Sequence, residues 1–290
     1  MPAAVTGRKA VRHVPDQAPT DDLLWEVTPE GVAWLTLNRP QVGNAITGGQ
    51  RERIIALLTE ASGDQRVRAV VLTGAGERHF CTGADLSGSQ ATAAPLPEGA
   101  PDQPAGTVAR AIAGGAQRLV AAVLDCEKPV IAAVNGTAAG IGCHLAYACD
   151  LVLAADSAKF IEVFVRRGLV VDGGGAYLLT RLIGPQRAKE LIFFGDDLPA
   201  AEAYRMGLVN RVLPAGELHA TAVDWAARLA AGPTVALGLG KRLVNRALDG
   251  DRATSLAEEA LAAEVNMTSA DGQEGLRAFL ERRKPAFRGW

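Results

Sequence analysis

The chain has 290 residues, 48% of them hydrophobic, which is enough apolar material for one large core or two ordinary ones. Thirty basic side chains stand against thirty-two acidic ones, and the net charge of −2 excludes a global field that would gather nucleic acid or an anionic membrane. The apolar runs are broken by Gly, Asn, His or Asp well short of the ~20 residues of a membrane span, and Cys81, Cys126, Cys143 and Cys149 lack the CxxC or Cys/His spacing of a metal site, so they read as reduced thiols of a cytoplasmic protein.

Residues 1–22 are polar, proline-punctuated and aperiodic, the pattern of a flexible tail; Arg8, Lys9 and Arg12 precede no apolar stretch of the kind a secretion signal carries. Trp25 to Val27 and Val32 to Leu37, split by Pro29-Glu30-Gly31, predict a β-hairpin. Ile54, Ile55, Leu57 and Leu58 mark one face of a helix over 47–61, and Val67 to Thr73 a strand that Gly74-Ala75-Gly76 stops. A short run, His79-Phe80-Cys81, leads into a glycine turn, Thr82-Gly83-Ala84-Asp85-Leu86. Residues 87–106 are rich in Ser, Ala, Pro and Gly and read as a mobile loop, followed by a helix over 108–124.

The stretch from Lys128 to Ala154 reads as a buried strand, a turn freed by Gly136, Gly140 and Gly142, a helix from about Cys143, and a second strand. A helix that starts straight after glycines aims open N–H groups, and the positive end of its dipole, at whatever lies in front, which suits an anion or an oxyanion. A further strand ends near Phe160, and Gly173-Gly174-Gly175 opens helices over 176–183 and 188–194. A short helix over 199–206 and a strand over 207–213 precede helices over 220–231, 234–247, 255–265 and 273–283. The division expected is a flexible tail over 1–22, an α/β core over 23–218 and a C-terminal helical region over 219–290. GxxxxGK[ST], the full dinucleotide fingerprint and GxSxG are all missing.

HFCTGADL at 79–86, KPVIAAVNGTAAGIGCHLAYACDLVLAADSAKF at 128–160, GLVVDGGGAYLLTRLIG at 168–184 and FLERRKPAF at 279–287 together resemble the enoyl-CoA hydratase/isomerase (crotonase) superfamily. The resemblance implies a crotonase-like (ClpP/crotonase) spiral of ββα units with a C-terminal helical region, assembled as a homotrimer or a dimer of trimers. It implies an acyl-CoA thioester as substrate, with coenzyme A part of that substrate, no separate cofactor and no metal. The backbone N–H groups of Ala84 and Ile141 would hold the thioester oxygen, and Phe279, Arg282 and Lys284 would help bind CoA. A ClpP-like peptidase shares the spiral, but no serine occupies a nucleophile-like turn.

The sequence departs from the family's hydratases at both catalytic glutamates. His144 stands at the first position and Phe164 at the second, with Glu162 two residues away. Phe cannot transfer a proton, which disfavours hydration. Asp172, in GLVVDGGG, falls where isomerases of the family carry an acid, and one carboxylate suffices to move a proton between two carbons; it could equally be a helix N-cap. Isomerisation of enoyl-CoA or dienoyl-CoA through Asp172 is therefore the reading expected. Hydration or C–C hydrolysis through His144 and Glu162 is the alternative, and a non-catalytic acyl-CoA binder the third. Glu162 is expected to pair with Arg166 or Arg167, and Asp85 to fix its own turn.

Overall fold

The computed structural model describes residues 22–87, 99, 101 and 104–290. The tail expected over 1–22, apart from Asp22, and most of the loop expected over 87–106 lie outside the described residues.

The expected hairpin is present: β1 (Leu23–Val27) runs antiparallel to β2 (Val32–Leu37), with Leu23 opposite Leu37. Helix α1 (Gly48–Gly63) starts at a capping box in which the Thr47 side chain accepts from the Gln50 N–H and the Gln50 side chain accepts from the Thr47 N–H. The chain then repeats one unit, a strand followed by a shorter strand and a helix. β3 (Ala69–Gly74) and β4 (His79–Cys81) lead to α2 (Thr107–Ile112) and α3 (Arg118–Asp125). β5 (Val130–Val134) and β6 (Thr137–Ala139) lead to α4 (Ile141–Ala148), and β7 (Leu151–Ala155) and β8 (Lys159–Ile161) to α5 (Gly175–Phe194). β9 (Leu198–Pro199), α6 (Ala200–Met206) and β10 (Arg211–Leu213) close the core, and α7 (Ala215–Ala230), α8 (Thr234–Ala247), α9 (Arg252–Thr268) and α10 (Ala270–Leu280) complete the chain.

The first strand of each unit enters a larger sheet, in the order β1-β2-β3-β5-β7-β10, and the second enters a smaller one, β4-β6-β8-β9. From β2 to β10 the larger sheet is parallel throughout. Every residue of β5, VIAAV, is buried, as a central parallel strand covered on both faces requires. This winding of strand, strand and helix is the expected spiral.

Four local differences from the sequence reading have physical causes. β6 lies inside what reads as a glycine turn, because three small residues give too short an apolar run to register as a strand. Helix α4 begins at Ile141 rather than at Cys143. The helices expected over 176–183 and 188–194 are one helix, α5, kinked where Gly184 (φ 78°) precedes Pro185. A π-helical segment, Ala113–Gln117, interrupts the helix expected over 108–124. Helix α7 buries Leu218, Ala222, Ala226 and Ala230 and packs on β3, β5 and β7.

Gly142 is where helix α4 meets strand β4, for a Cβ there would lie 2.1 Å from the Cys81 carbonyl oxygen. Backbone cannot retreat as a side-chain tip can, so Gly142→Ala is expected to cost about 3 kcal/mol, the upper end of overpacking penalties. Gly48→Ala, with nothing within 4 Å of the added carbon, is expected to stay within about 1 kcal/mol of the parent. Urea unfolding of both variants checks the contrast.

Candidate active site

The two glycine turns singled out in the sequence lie side by side because the strands before them are neighbours. β4 pairs with β6 in parallel, Cys81 opposite Ala138, so both chains leave the small sheet at the same end. A Cβ on Gly83 would lie 3.4 Å from the carbonyl oxygen of Ala139, which brings the turns into van der Waals contact. Gly83 (φ 117°) and Gly140 (φ 54°, ψ −123°) both occupy backbone regions that L-residues avoid. The residues that follow them are Ala84 and Ile141, and neither N–H is taken by an acceptor among the described residues. Ile141 is also the first residue of α4, whose N-cap, Gly140, offers no side-chain acceptor, so this N–H carries the positive end of the helix dipole.

The Ala84 turn is braced from the opposite side by the segment after β2. Ile46 N–H donates to Gly83 O and Asp85 N–H to Ile46 O, each 2.9 Å. Asn44, in the left-handed region (φ 55°), donates from Nδ2 to the carbonyls of Ala75 and His79 and accepts from Arg39 N–H. Arg39 Nη1 donates to Ala45 O at 2.8 Å and to Asp85 Oδ2 at 2.7 Å. Asp85 therefore fixes its own turn, as expected. Bonds from Ser87, then from Arg39, hold its carboxyl down at about 2. The sequence signals nothing of the roles of Arg39 and Asn44, because what they brace is a turn some forty residues further along the chain.

His144 lies one turn into α4 and is completely buried. Its Nε2 is 3.1 Å from Oε2 of Glu162, which is 3% exposed. This corrects the expected pairing of Glu162 with Arg166 or Arg167: Arg166 bonds Asp197 instead, at 2.9 Å, because Glu162 turns inward after β8 while Arg166 points to the surface. Phe164 lies nearly parallel to the imidazole, 7° between planes and 5.4 Å between ring centres. The Gly173-Gly174-Gly175 turn wraps the other side: a Cβ on Gly175 would stand 2.2 Å from His144 Nε2, and one on Gly173 would stand 3.3 Å from Nδ1 and 3.3 Å from Ala116 of the π-helical segment. Only residues without side chains let this turn come so close.

Asp172 heads that turn, half-buried. The N-cap reading of its side chain fails, since the N-cap of α5 is Gly174 and no side chain caps it; Asp172 contributes only its backbone carbonyl, to the Gly175 N–H at 3.0 Å. Burial pushes the Asp172 carboxyl up from its usual range, and the charge of His144 opposes part of that rise. Asp172, His144 and Glu162 thus belong to one neighbourhood. Phe279, Arg282 and Lys284 do not join it among the described residues. Phe279 is 79% exposed at the end of α10, and it is Arg283 that forms the ion pairs there, with Glu274 and Glu281.

A pair of open N–H groups beside a half-buried carboxylate can hold a carbonyl oxygen while a proton leaves a neighbouring carbon. Comparison with known proteins agrees with the fold that builds this arrangement: residues 27–289 match the family model described as Enoyl-CoA hydratase/isomerase. The chain belongs to that family. A Rhodobacter capsulatus protein named "Probable enoyl-CoA hydratase" is 41% identical over 261 residues, covering 90% of this chain and 95% of its own. The 1,2-epoxyphenylacetyl-CoA isomerase of Escherichia coli is 38% identical over 260 residues, covering 90% of this chain and 96% of its own. The crystal structure of an enoyl-CoA hydratase from Bacillus anthracis superposes with a TM-score of 0.83 at 33% identity, covering 93% of this chain and all of the other. The names among these relatives of the enoyl-CoA hydratase/isomerase family are mostly those of hydratases, with an isomerase among them.

The aim of the Ile141 N–H can be altered without touching a side chain that packs. At Gly140 a Cβ would meet Val163 no closer than 3.4 Å, so Gly140→Ala fits sterically and strains only the backbone. Turning that peptide misaims the Ile141 N–H; if that group holds the substrate's carbonyl oxygen, kcat/KM on an acyl-CoA substrate is expected to fall about 10²-fold. Steady-state kinetics beside a thermal melt checks this, the melt shifting by only a few degrees.

Proposed function

We propose that this acyl-CoA enzyme shifts a carbon–carbon double bond in an enoyl-CoA or dienoyl-CoA. The N–H groups of Ala84 and Ile141 would take the thioester oxygen, and Asp172 would carry the proton from one carbon to the other. The observation that carries the reading is the Asp172 carboxylate itself: half-buried, raised by that burial, and free of hydrogen bonds from its side chain among the described residues. Such a group is placed to accept and return a proton. Its partner donors would stabilise the dienolate formed between the two transfers, an effect of roughly 3 kcal/mol per donor.

What favours isomerisation over addition of water is the state of the two positions where family hydratases carry glutamate. His144 and Phe164 fill them, stacked on each other, so the space that would hold a water between two carboxylates is instead an imidazole under a phenyl ring. A second reading, hydration or C–C hydrolysis, draws on the His144–Glu162 pair, which has the composition of a water-activating base. CoA would lie toward the exposed Arg282 and Lys284. Apolar side chains left exposed on α5 and on the C-terminal helices, among them Phe193, Phe194, Leu261 and Phe279, suit assembly of copies into a trimer or a dimer of trimers.

Asp172→Asn is expected to abolish isomerisation of 3-enoyl-CoA and dienoyl-CoA esters, by at least about 10³-fold, while CoA-ester binding measured by calorimetry persists. Crotonoyl-CoA is expected to keep its enoyl absorbance with the parent enzyme. Unchanged turnover in the variant would remove Asp172 from the mechanism, loss of crotonoyl absorbance would favour the His144–Glu162 reading, and binding of the whole panel without turnover would leave an acyl-CoA carrier.

A further inference from the structure

A trans peptide unit is planar, so its N–H points away from its own C=O, and whatever holds the oxygen sets where the hydrogen aims. The two donors of the candidate site differ in what holds those oxygens. The N–H of Ile141 shares its peptide with the carbonyl of Gly140, which accepts from the Cys143 N–H at 2.9 Å and the His144 N–H at 3.2 Å. Those bonds belong to the first turn of α4, every residue of which is buried. The N–H of Ala84 has no helix behind it. Its peptide carries the carbonyl of Gly83, and the chain beyond is exposed at Ala84, Leu86 and Ser87.

What holds the Gly83 oxygen is the Ile46 N–H, at 2.9 Å. The Ile46 N–H belongs in turn to the peptide whose oxygen is that of Ala45, and that oxygen accepts from Arg39 Nη1 at 2.8 Å. Guanidinium, peptide 45–46 and peptide 83–84 thus form one hydrogen-bonded line whose open end is the Ala84 N–H. A peptide that accepts a hydrogen bond at its oxygen becomes a stronger donor at its nitrogen, by roughly 10–30% per bond. A charged donor at the head of the line makes the strongest bond of this kind. Arg39 Nη1 carries two hydrogens and also donates to Asp85 Oδ2 at 2.7 Å, both side chains being largely buried. This fork fixes the guanidinium and sets a cation against the carboxylate next in sequence to Ala84, where an unpaired negative charge would repel a developing oxyanion.

We propose that Arg39 is a positioning residue for the oxyanion site: through peptides 45–46 and 83–84 it aims and polarises the Ala84 N–H, doing for that donor what helix α4 does for Ile141. This rests on the reading that both N–H groups take the thioester oxygen, and not on which reaction follows. An ion pair that only fastened the turn would need Asp85 alone; the bond to the Ala45 oxygen is the one the line requires.

Arg39→Met removes the head of the line and leaves both peptides in place. The probe is butanoyl-CoA with ¹³C at the thioester carbonyl, whose infrared stretching band falls in frequency as hydrogen bonds to its oxygen strengthen. At saturating ester, the band of the probe bound to the parent enzyme is expected below its position in water. Arg39→Met is expected to lose about half of that downshift, as is Gly140→Ala, which acts on the other donor. Arg39→Lys is expected to recover part of it, since an ammonium can still donate to the Ala45 oxygen. A full downshift in Arg39→Met overturns the proposal and leaves the shared-oxygen reading standing. No downshift in the parent enzyme overturns that reading, and the proposal with it. Should a thermal melt show Arg39→Met unfolded, Arg39→Gln, which offers a neutral donor in place of the charged one, decides: a reduced downshift supports the proposal and an undiminished one overturns it.

Discussion

The site depends first on a contact between backbones. Strand β4 ends at Cys81, helix α4 begins at Ile141, and Gly142 lets the helix rest directly on the Cys81 carbonyl. With β4 and β6 paired in parallel, that contact leaves the Ala84 and Ile141 N–H groups at the same end of the small sheet. Parallel pairing alone would bring the strands together but would not set how far each turn projects. The segment from Arg39 to Ile46 supplies the rest, since its bonds to the 83–85 turn hold one donor while the start of a helix holds the other. Both N–H groups belong to the backbone, so neither depends on which side chain stands at 84 or 141. The chemistry can then be altered by whatever stands around it.

What stands around it here is a fully buried imidazole enclosed by three elements. Phe164 covers one face, Glu162 takes Nε2, and the 173–175 glycine turn closes on the edge. Each of these depends on the others. A side chain at 175 would displace the ring, a displaced ring would leave Glu162 buried without a partner, and Asp172 is carried by the same turn. Asp172 stays half-buried at the head of the turn, while Glu162, 3% exposed, is bonded to the imidazole. Burial thus gives two acidic residues ten positions apart different surroundings.

Much of the fold was legible because its signals are local. Alternating apolar residues marked the hairpin, the spacing of Ile54, Ile55, Leu57 and Leu58 marked α1, and the order of the glycine turns marked the family. The features that were not legible are those set across space. β6 is three small residues with no pattern of their own. The kink in α5 separates two apparent helices only to a reader who cannot see that packing continues through Gly184 and Pro185. Glu162 has two arginines close by in sequence, and charge proximity favours pairing with them. The chain direction after β8 instead turns Glu162 inward and gives Arg166 to Asp197. The role of Arg39 could not be read at all, since its partner Asp85 is brought to it only by the spiral.

In the proposed mechanism one thioester oxygen sits between the Ala84 and Ile141 N–H groups while Asp172 faces the carbons that exchange a proton. A crystal structure with a bound, slowly reacting 3-enoyl-CoA analogue tests it most directly. The thioester oxygen is expected within hydrogen-bonding distance of both N–H groups and the Asp172 carboxylate over the α and γ carbons, with His144 still bonded to Glu162. A thioester oxygen held elsewhere, or an ordered water held by His144 or Glu162 against the β carbon, would contradict it.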